Sequence, residues 1–361
     1  VSEAFLLSGT IRTENYSDFG NAFVYKFSSR YKVNDALTLR GSISSGFRAP
    51  TLHQIYTQKA QYSFIPGQGI QVGGLINNVS TQAKLLGIPQ LDAETSQNFT
   101  VGFGGKANKF TYTFDYYNIA VKDRIVLGAE ISATGDATNP LDILLAANNL
   151  SDVSFFSNAI DTKTSGIDVV LGYRGIALGE GSLDFNLSGN YTIQNERDGP
   201  VKDIDLVANA GQSVVNETQE ALFFTSRPVT KWILGANYDI NKFGFSLNNT
   251  YFGKTTFQQQ GLDNNIFTEF TPKIVTDLGI NYSATEKLTI ALNLNNVLNV
   301  LPEWSFKSKN AIGDAILADA AQTQNQSNLI TFNQRYSQMT YDGYHFSQLG
   351  AMFNLSLNYK F

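Results

Sequence analysis

The strongest constraint on this chain is the strict alternation of side-chain types over residues 349–361. One set of alternate positions is apolar: Leu349, Ala351, Phe353, Leu355, Leu357, Tyr359 and Phe361. The set between them is mostly polar: Gly350, Met352, Asn354, Ser356, Asn358 and Lys360. Because successive side chains of a β-strand point to opposite faces, this pattern predicts a strand with one apolar and one polar face.

The same alternation recurs along the whole chain, and no helical periodicity is present that could cover so much apolar sheet. Charged residues make up 16% of the chain, below the roughly 25% typical of soluble domains. The 17 Tyr and 26 Phe suit the aromatic girdles of a membrane barrel. An unpaired sheet edge is costly in hydrocarbon. We therefore predict an all-β fold, a transmembrane antiparallel β-barrel whose apolar side chains face lipid.

The strands fall into hairpins that join about twelve strands of roughly ten residues each, beginning with residues 4–12. Short turns are predicted at Asn34-Asp35, Asn108-Lys109, Asn241-Lys242 and 284–286, and a longer one over 175–182. Long, structureless connections are predicted at the opposite end, over residues 48–93, 127–152, 197–226, 254–271 and 300–344. Long loops of this kind are usually functional, and in outer-membrane barrels they face outward from the cell.

The inward face is predicted to be polar, with Thr38, Arg40 and Ser42 on one strand and Asp115 on another. A packed barrel core would be apolar at these positions. A water-filled lumen and a lumen filled by a separate polar domain both fit this composition.

Composition also excludes several classes of function. Cysteine is absent, so the chain has no disulfide or thiolate metal site. A net charge of -5 gives no basic footprint for nucleic acid. The acidic stretch around Asp198, Asp203 and Asp205 lacks the Gly and terminal Glu of a calcium loop. We expect no metal site, no cofactor and no nucleic-acid partner.

Several segments resemble the TonB-dependent receptors of the bacterial outer membrane. They occur in the family's order and span nearly the whole chain: YSDFG at 16–20, LRGS at 39–42, GFRAPTL at 46–52, LDAETSQN at 91–98, TKTSGID at 162–168, LNLNNVLN at 292–299 and the terminal aromatic strand. The resemblance implies a barrel of about 22 strands with an N-terminal plug. Residues 1–361 would then be the C-terminal portion, without the plug and the first strands, and no signal peptide is visible.

The resemblance also implies a function. A receptor of this family binds a scarce nutrient such as an iron-siderophore, cobalamin or an oligosaccharide with its extracellular loops, and imports it actively. The implied partners are the TonB energy-transducing complex acting through the plug, the barrel assembly machinery, a small-molecule or oligomeric nutrient, membrane lipid and, as a further candidate, a surface lipoprotein. A passive porin and an outer-membrane hydrolase are the alternatives.

Candidate ligand contacts lie in the long loops. An exposed loop aromatic is a common binding hot spot, which favours Trp304, and the longest loop carries His53 and Tyr56. The Asn/Gln-rich run over 322–338, with Arg335 and the nearby Tyr341, suits a polar ligand.

Other residues are assigned structural or assembly roles. Arg40, Arg48 and Pro50 are predicted to be structural residues of the lumen or rim, where Pro50 ends strand pairing. The resemblance assigns Tyr359 and Phe361 to the membrane-assembly signal. We expect no catalytic residue, because neither His53 nor His345, which lies beside Tyr344 and Phe346 in a predicted interfacial belt, belongs to a nucleophile motif.

Overall fold

A computed structural model describes residues 4–16, 20–65, 69–331, 340 and 342–361. The strands are β1 (Phe5–Tyr16), β2 (Gly20–Lys32), β3 (Thr38–Arg48), β4 (Lys59–Ile65), β5 (Gly69–Leu75), β6 (Glu94–Ala107), β7 (Phe110–Leu127), β8 (Ile131–Ser132), β9 (Leu150–Ser154), β10 (Phe156–Leu178), β11 (Gly181–Arg197), β12 (Thr230–Ile240), β13 (Phe243–Phe252), β14 (Thr255–Phe257), β15 (Ile266–Phe270), β16 (Lys273–Ser283), β17 (Leu288–Asn295), β18 (Trp304–Ser308) and β19 (Met352–Tyr359). The helices are α1 (Leu52–Tyr56), α2 (Thr81–Leu85), α3 (Pro140–Ala147), α4 (Asp205–Asn209), α5 (Glu217–Phe224), α6 (Ala311–Ala318) and α7 (Ala320–Ile330). No helix in these described ranges is long and apolar enough to cross a membrane.

One antiparallel sheet dominates the described part of the chain. Its twelve strands follow the order β1-β2-β3-β6-β7-β10-β11-β12-β13-β16-β17-β19. This confirms the predicted all-β architecture of meandering hairpins. Strands β1 and β19 lie at the two edges of the sheet, so the described residues form part of a barrel wall and not a closed cylinder.

The register of the sheet keeps the two faces chemically distinct. Across β17 and β19, Leu292 pairs with Leu355, while the neighbouring pair is Asn293 with Asn354. The outward side chains are widely exposed, with Phe353 at 80% and Leu355 at 64%. A register shift of one residue would exchange the two faces, so the period-two pattern determines both the pairing and the lipid-facing surface.

Short turns join the strands at one end of the sheet, as the sequence predicts. Asn108 and Asn241 adopt left-handed backbone conformations there, with φ of 53° and 50°. Asparagine tolerates this region better than most residues, which explains its place in these two-residue turns. One turn is shorter than predicted: β10 continues to Leu178, and the chain reverses at Gly179-Glu180, with Gly179 at φ 59°.

The long connections are folded, and the expectation that they lack structure is wrong. They contain a sheet in the order β4-β5-β9-β8, a second sheet in the order β14-β15-β18, and seven short helices in the described ranges. The sequence alternation in these connections is brief and the helices span only 5–11 residues, so neither pattern stands out without its tertiary partners.

The connections carry the apolar cores of the described molecule. The larger core joins α2, α3 and α4 with β8 and β9, and its fully buried side chains include Leu141, Leu145, Val153, Phe155 and Val207. Two smaller clusters, around Ile266 and Phe270, pack under β18. The connections at this end therefore pack against one another, and Val126 of β7 and Ile160 of β10 join the larger core to the barrel wall. We call this end the loop rim.

We expect the two faces of β19 to tolerate a charge differently. Leu355→Arg places a cation in hydrocarbon and should cost about 2–4 kcal/mol of folding free energy near mid-membrane. Asn354→Arg, one residue away on the inward face, should cost clearly less. Folding of the full-length protein into bilayers, followed by denaturant titration, measures both variants. Equal destabilisation would contradict the assignment of the outward face.

Candidate functional site

A cleft opens on the inward side of the sheet at the loop rim. Its volume is about 720 Å³. The walls come from the rim ends of five consecutive strands of the sheet, β7, β10, β11, β12 and β13, together with residues 223–229 and His345. A cleft of this size accommodates a small-molecule ligand.

Three cationic side chains line this cleft: Arg124 of β7, Arg227, and Lys231 of β12. None of the three makes an ion pair within the described residues, and no described carboxylate lines the cleft. Most other cations of the rim are neutralised, for example Arg197 by Glu220 at 2.9 Å. The cleft therefore carries uncompensated positive charge although the whole chain has a net charge of -5.

Aromatic rings support two of the cations. The Arg124 guanidinium lies over the Phe223 ring at 5.1 Å, and the Lys231 ammonium lies over the Phe252 ring at 4.9 Å. Arg124 also donates to the Thr162 hydroxyl at 3.4 Å. Such cation–π contacts orient a charge without neutralising it. Both cations thus remain available to an anionic ligand.

Polar side chains organise the lower part of the cleft. The Asn190 amide donates to Asp168 Oδ1 at 2.7 Å and to the Tyr117 hydroxyl at 3.1 Å. At the upper edge, Asn195 donates to the carbonyls of Phe223 and Phe224 and fixes the end of α5 above the cleft. These bonds order the walls around the three cations.

His345 forms part of the cleft wall and not a membrane-interface belt. Its Nε2 lies 3.1 Å from the Thr271 carbonyl, which only accepts, so Nε2 carries the proton. The Nδ1 atom is buried without a partner among the described residues. Burial lowers the pKa of this imidazole, against the Thr271 bond that raises it, and Lys273 lowers it further. His345 is therefore neutral at pH 7 and offers an acceptor.

The rim residues predicted as structural lie beside the cleft. Arg48 forms a two-pronged ion pair with Glu94, with Nε to Oε2 at 2.8 Å, and Glu94 also accepts from the Ile125 amide at 2.7 Å. Strand β3 ends at Arg48, and Pro50 is buried just beyond it. This arrangement joins β3, β6 and β7 at the rim.

Arg40 makes a second ion pair deeper in the lumen. Its Nε donates to Asp115 Oδ1 at 2.8 Å, and its Nη2 contacts Asp115 Oδ2. The two residues belong to β3 and β7, and Gly102 of the intervening β6 lies in register between them. A Cβ atom on Gly102 would collide with the Asp115 carboxylate, so the glycine lets this pair form across three strands.

The loop residues predicted to contact ligand lie elsewhere. His53 and Tyr56 are exposed on α1, and neither lines the cleft. His53 Nδ1 lies 3.0 Å from the Thr57 hydroxyl. Arg335 and Tyr341 lie outside the described residues.

Trp304 differs from its predicted environment. The expectation of an exposed loop aromatic is wrong: Trp304 begins β18, is partly buried and packs against both small apolar clusters. Its ring meets Phe306 edge-on at 5.1 Å. This position gives Trp304 a packing role in the loop rim.

Sequence inspection missed Arg124, Arg227 and Lys231. Lys231 had a usable signal, since it is an inward-facing cation at the rim end of a clear strand. Arg124 had no such signal. Phe114 and Tyr116 are predicted to face lipid, and simple alternation would place Arg124, at another even-numbered position of β7, on the same side. A bulge reverses that alternation: Val121 pairs with Thr162 but Arg124 pairs with Ile160, which leaves one extra residue in β7.

Comparison with known families now identifies the fold. Residues 1–297 match the family model described as "TonB dependent receptor-like, beta-barrel". The chain belongs to the TonB-dependent receptor family. Members of this family are outer-membrane transport receptors and not enzymes.

Individual relatives agree with this assignment. The chain is 24% identical over 163 residues to the ferric enterobactin receptor PirA of Pseudomonas aeruginosa, a match that covers 45% of this chain and 20% of that protein. A ferric enterobactin receptor (PfeA) variant of the same species in complex with enterobactin superposes with a TM-score of 0.61 at 14% identity, covering 99% of this chain and 43% of that one.

The siderophore receptor PirA of Acinetobacter baumannii superposes equally well, with a TM-score of 0.61 and 15% identity over 100% of this chain and 44% of that one. These structures share the barrel fold with the chain. The chain spans less than half the length of each of these TonB-dependent receptors.

We expect Gly102 to be intolerant of any side chain. Gly102→Ala should push the new methyl group into Asp115 and the Phe114 carbonyl, break the bond to Arg40, and cost about 1–3 kcal/mol as overpacking does. Gly41→Ala on the adjacent strand is the matched control, because the nearest atom, the Thr100 carbonyl oxygen, lies 3.5 Å away. Denaturant titration of the full-length barrel in bilayers compares the two variants.

Proposed function

We propose that this chain is the C-terminal part of a TonB-dependent receptor that imports an anionic iron-siderophore through the outer membrane. The observation that carries the proposal is the cleft with three cations and no described carboxylate. A neutral or cationic nutrient would leave those charges unpaired as it displaced water from them, whereas an anion would pair with them.

The aromatic residues of the cleft favour a ligand with flat apolar faces as well as negative charge. Phe223, Phe224 and Phe252 contribute ring surface beside the cations, and Tyr117 adds a phenol. Metal-bound catecholate groups combine both properties. The similarity to a ferric enterobactin receptor supports an iron complex of this class as the ligand.

Transport would use parts of the full-length receptor as well as this chain. In this proposal the loop rim captures the siderophore, and the cleft holds it above the lumen. A plug domain, coupled to TonB, then opens the path inward. The barrel assembly machinery would recognise Tyr359 and Phe361, whose rings meet edge-on at 5.3 Å at the end of β19.

A passive porin is the competing function, because the inward face is polar. Liposome swelling with the full-length protein separates the two functions: a plugged receptor admits sugars at the background rate, whereas a porin admits them at a rate set by solute size. Entry of sugars well above the background rate would contradict the receptor proposal.

The charge of the cleft provides the direct test. Arg124→Ala and Arg227→Ala should each weaken binding of a ferric tris-catecholate siderophore about tenfold, because a charge-assisted hydrogen bond contributes about 1.5–3 kcal/mol. Binding should also weaken as salt is raised, through screening of the cleft. Equilibrium binding to the purified full-length receptor measures both effects.

A matched control separates the cleft from general rim charge. Lys254→Ala removes a rim cation that is already paired with Glu269 at 3.1 Å and lies outside the cleft, so the dissociation constant should not change. A cationic ferric trihydroxamate should bind wild-type receptor poorly. If it binds as tightly as the catecholate complex, the proposal of an anionic ligand is wrong.

A further inference from the structure

The residue before Arg124 has an unusual backbone conformation. Asp123 adopts φ of 56°, in the left-handed region that most residues with a Cβ avoid and that Asp tolerates. It lies at the β7 bulge, between the pairs Val121–Thr162 and Arg124–Ile160. Because the extra residue inverts the alternation, this bulge brings Arg124 into the wall of the cleft.

An ionic cluster holds the bulge in place. The Lys202 ammonium lies 2.7 Å from Asp123 Oδ1 and 2.6 Å from Asp161 Oδ1. The Asp123 amide donates to the same Asp161 Oδ1 at 2.8 Å, and Asn158 donates to the Asp123 carbonyl at 2.6 Å. Both the backbone and the side chain of Asp123 are therefore held by neighbours. We call Lys202, Asp123 and Asp161 the bulge clamp.

The clamp also controls which charges reach Arg124. Asp123 is the covalent neighbour of Arg124 and would be a convenient ion-pair partner for it. In the structure both carboxylates of the clamp contact Lys202, and neither makes an ion pair with Arg124. The Arg124 guanidinium is left to Phe223 and the Thr162 hydroxyl. Lys202 thus holds Asp123 and Asp161 away from an ion pair with Arg124, and Glu94, a further carboxylate near Arg124, is paired with Arg48.

The clamp is connected to the other half of the cleft through one loop. Lys202 lies in the connection after β11, and its amide donates to the Ala159 carbonyl at 2.8 Å. The same connection carries Phe223, which lies against Arg124, and Arg227. The contacts of Lys202 itself are with β7 and β10, so its direct effect on the cleft passes through Arg124.

From this geometry we infer that Lys202 is a positioning residue for ligand binding: through the Asp123 bulge it aims Arg124 into the cleft and withholds two carboxylates from it. The inference rests on the proposed function and adds a specificity determinant that does not itself line the cleft. Without Lys202, the two carboxylates are free to pair with Arg124 and to reduce the attraction for an anion.

The test is a double-mutant cycle in the full-length receptor, with a ferric tris-catecholate siderophore as the probe. Lys202→Met should raise the dissociation constant about tenfold. The double variant with Arg124→Ala should bind no more weakly than Arg124→Ala alone, because Lys202 acts through Arg124. Independent, multiplicative losses in the double variant would overturn the inference, since they would show only a general effect on the loop.

Lys163→Met is the matched control, because it removes another lysine of the same region, one that is paired with Asp198 at 2.8 Å and makes no ion pair with Asp123 or Asp161. It should leave the dissociation constant unchanged. An equal loss in Lys163→Met and Lys202→Met would contradict a specific role for the clamp. Adding Asp161→Asn to Lys202→Met should recover part of the affinity, because it removes one freed negative charge and keeps an acceptor for the Asp123 amide.

Two outcomes separate this inference from the proposed function. If Arg124→Ala leaves binding unchanged, the cleft is not the binding site and the proposed function fails with it. If Arg124→Ala weakens binding and Lys202→Met does not, only the positioning role fails. Should Lys202→Met not assemble in the membrane, Lys202→Gln replaces it: the amide can still donate a hydrogen bond, but it has no charge to hold Asp123 and Asp161, and binding should also weaken. An unchanged dissociation constant for Lys202→Gln would then overturn the inference.

Discussion

The backbone hydrogen-bond ladder of the twelve-stranded sheet is the constraint on which the rest of this structure depends. In hydrocarbon no water replaces a missing backbone partner, so neighbouring strands must pair along their membrane-spanning length. Pairing then fixes register, and register assigns each side chain to lipid or lumen. The apolar row through Leu292 and Leu355 and the polar row through Asn293 and Asn354 both follow from this one requirement.

The cations of the cleft differ from those around it. Arg40 in the wall and Arg48 at the β3 rim are each paired with a carboxylate. Arg124, Arg227 and Lys231 line the cleft without such partners in the described structure. Unpaired charge is tolerated in the cleft because water reaches it, and it becomes a source of affinity when an anion replaces that water.

The loop rim is subject to a different constraint, because its connections lie in water. Long connections in water must offset the entropy of ordering many residues, and they do so here by burying apolar side chains in cores, the larger of which also includes the rim ends of β7 and β10. The resulting platform holds positions such as Phe223 and Arg227 over the lumen. The bulge at Asp123, where the backbone is left-handed and the side chain is held by Lys202, then places Arg124 of the wall against Phe223 of that platform.

Much of the barrel wall can be predicted from local sequence patterns. Alternation around Leu355, turn residues such as Asn108 and Asn241, and the even spacing of hairpins together determine an all-β membrane barrel, its faces and its two unequal ends. These features can be predicted because a strand in lipid alternates apolar and polar side chains every two residues. A two-residue turn, in turn, needs a residue that tolerates positive φ.

The cleft is a product of tertiary structure. Arg124 lies on the inward face only because the bulge interrupts the alternation, and that interruption depends on Asp161 and Lys202, which are 38 and 79 residues away from Asp123. The burial of Trp304 likewise depends on clusters assembled from separate segments. The sequence by itself therefore determined the barrel wall, through a repeated local pattern. Only the tertiary structure decided which charges meet in the cleft, because those encounters depend on long-range contacts that no local pattern encodes.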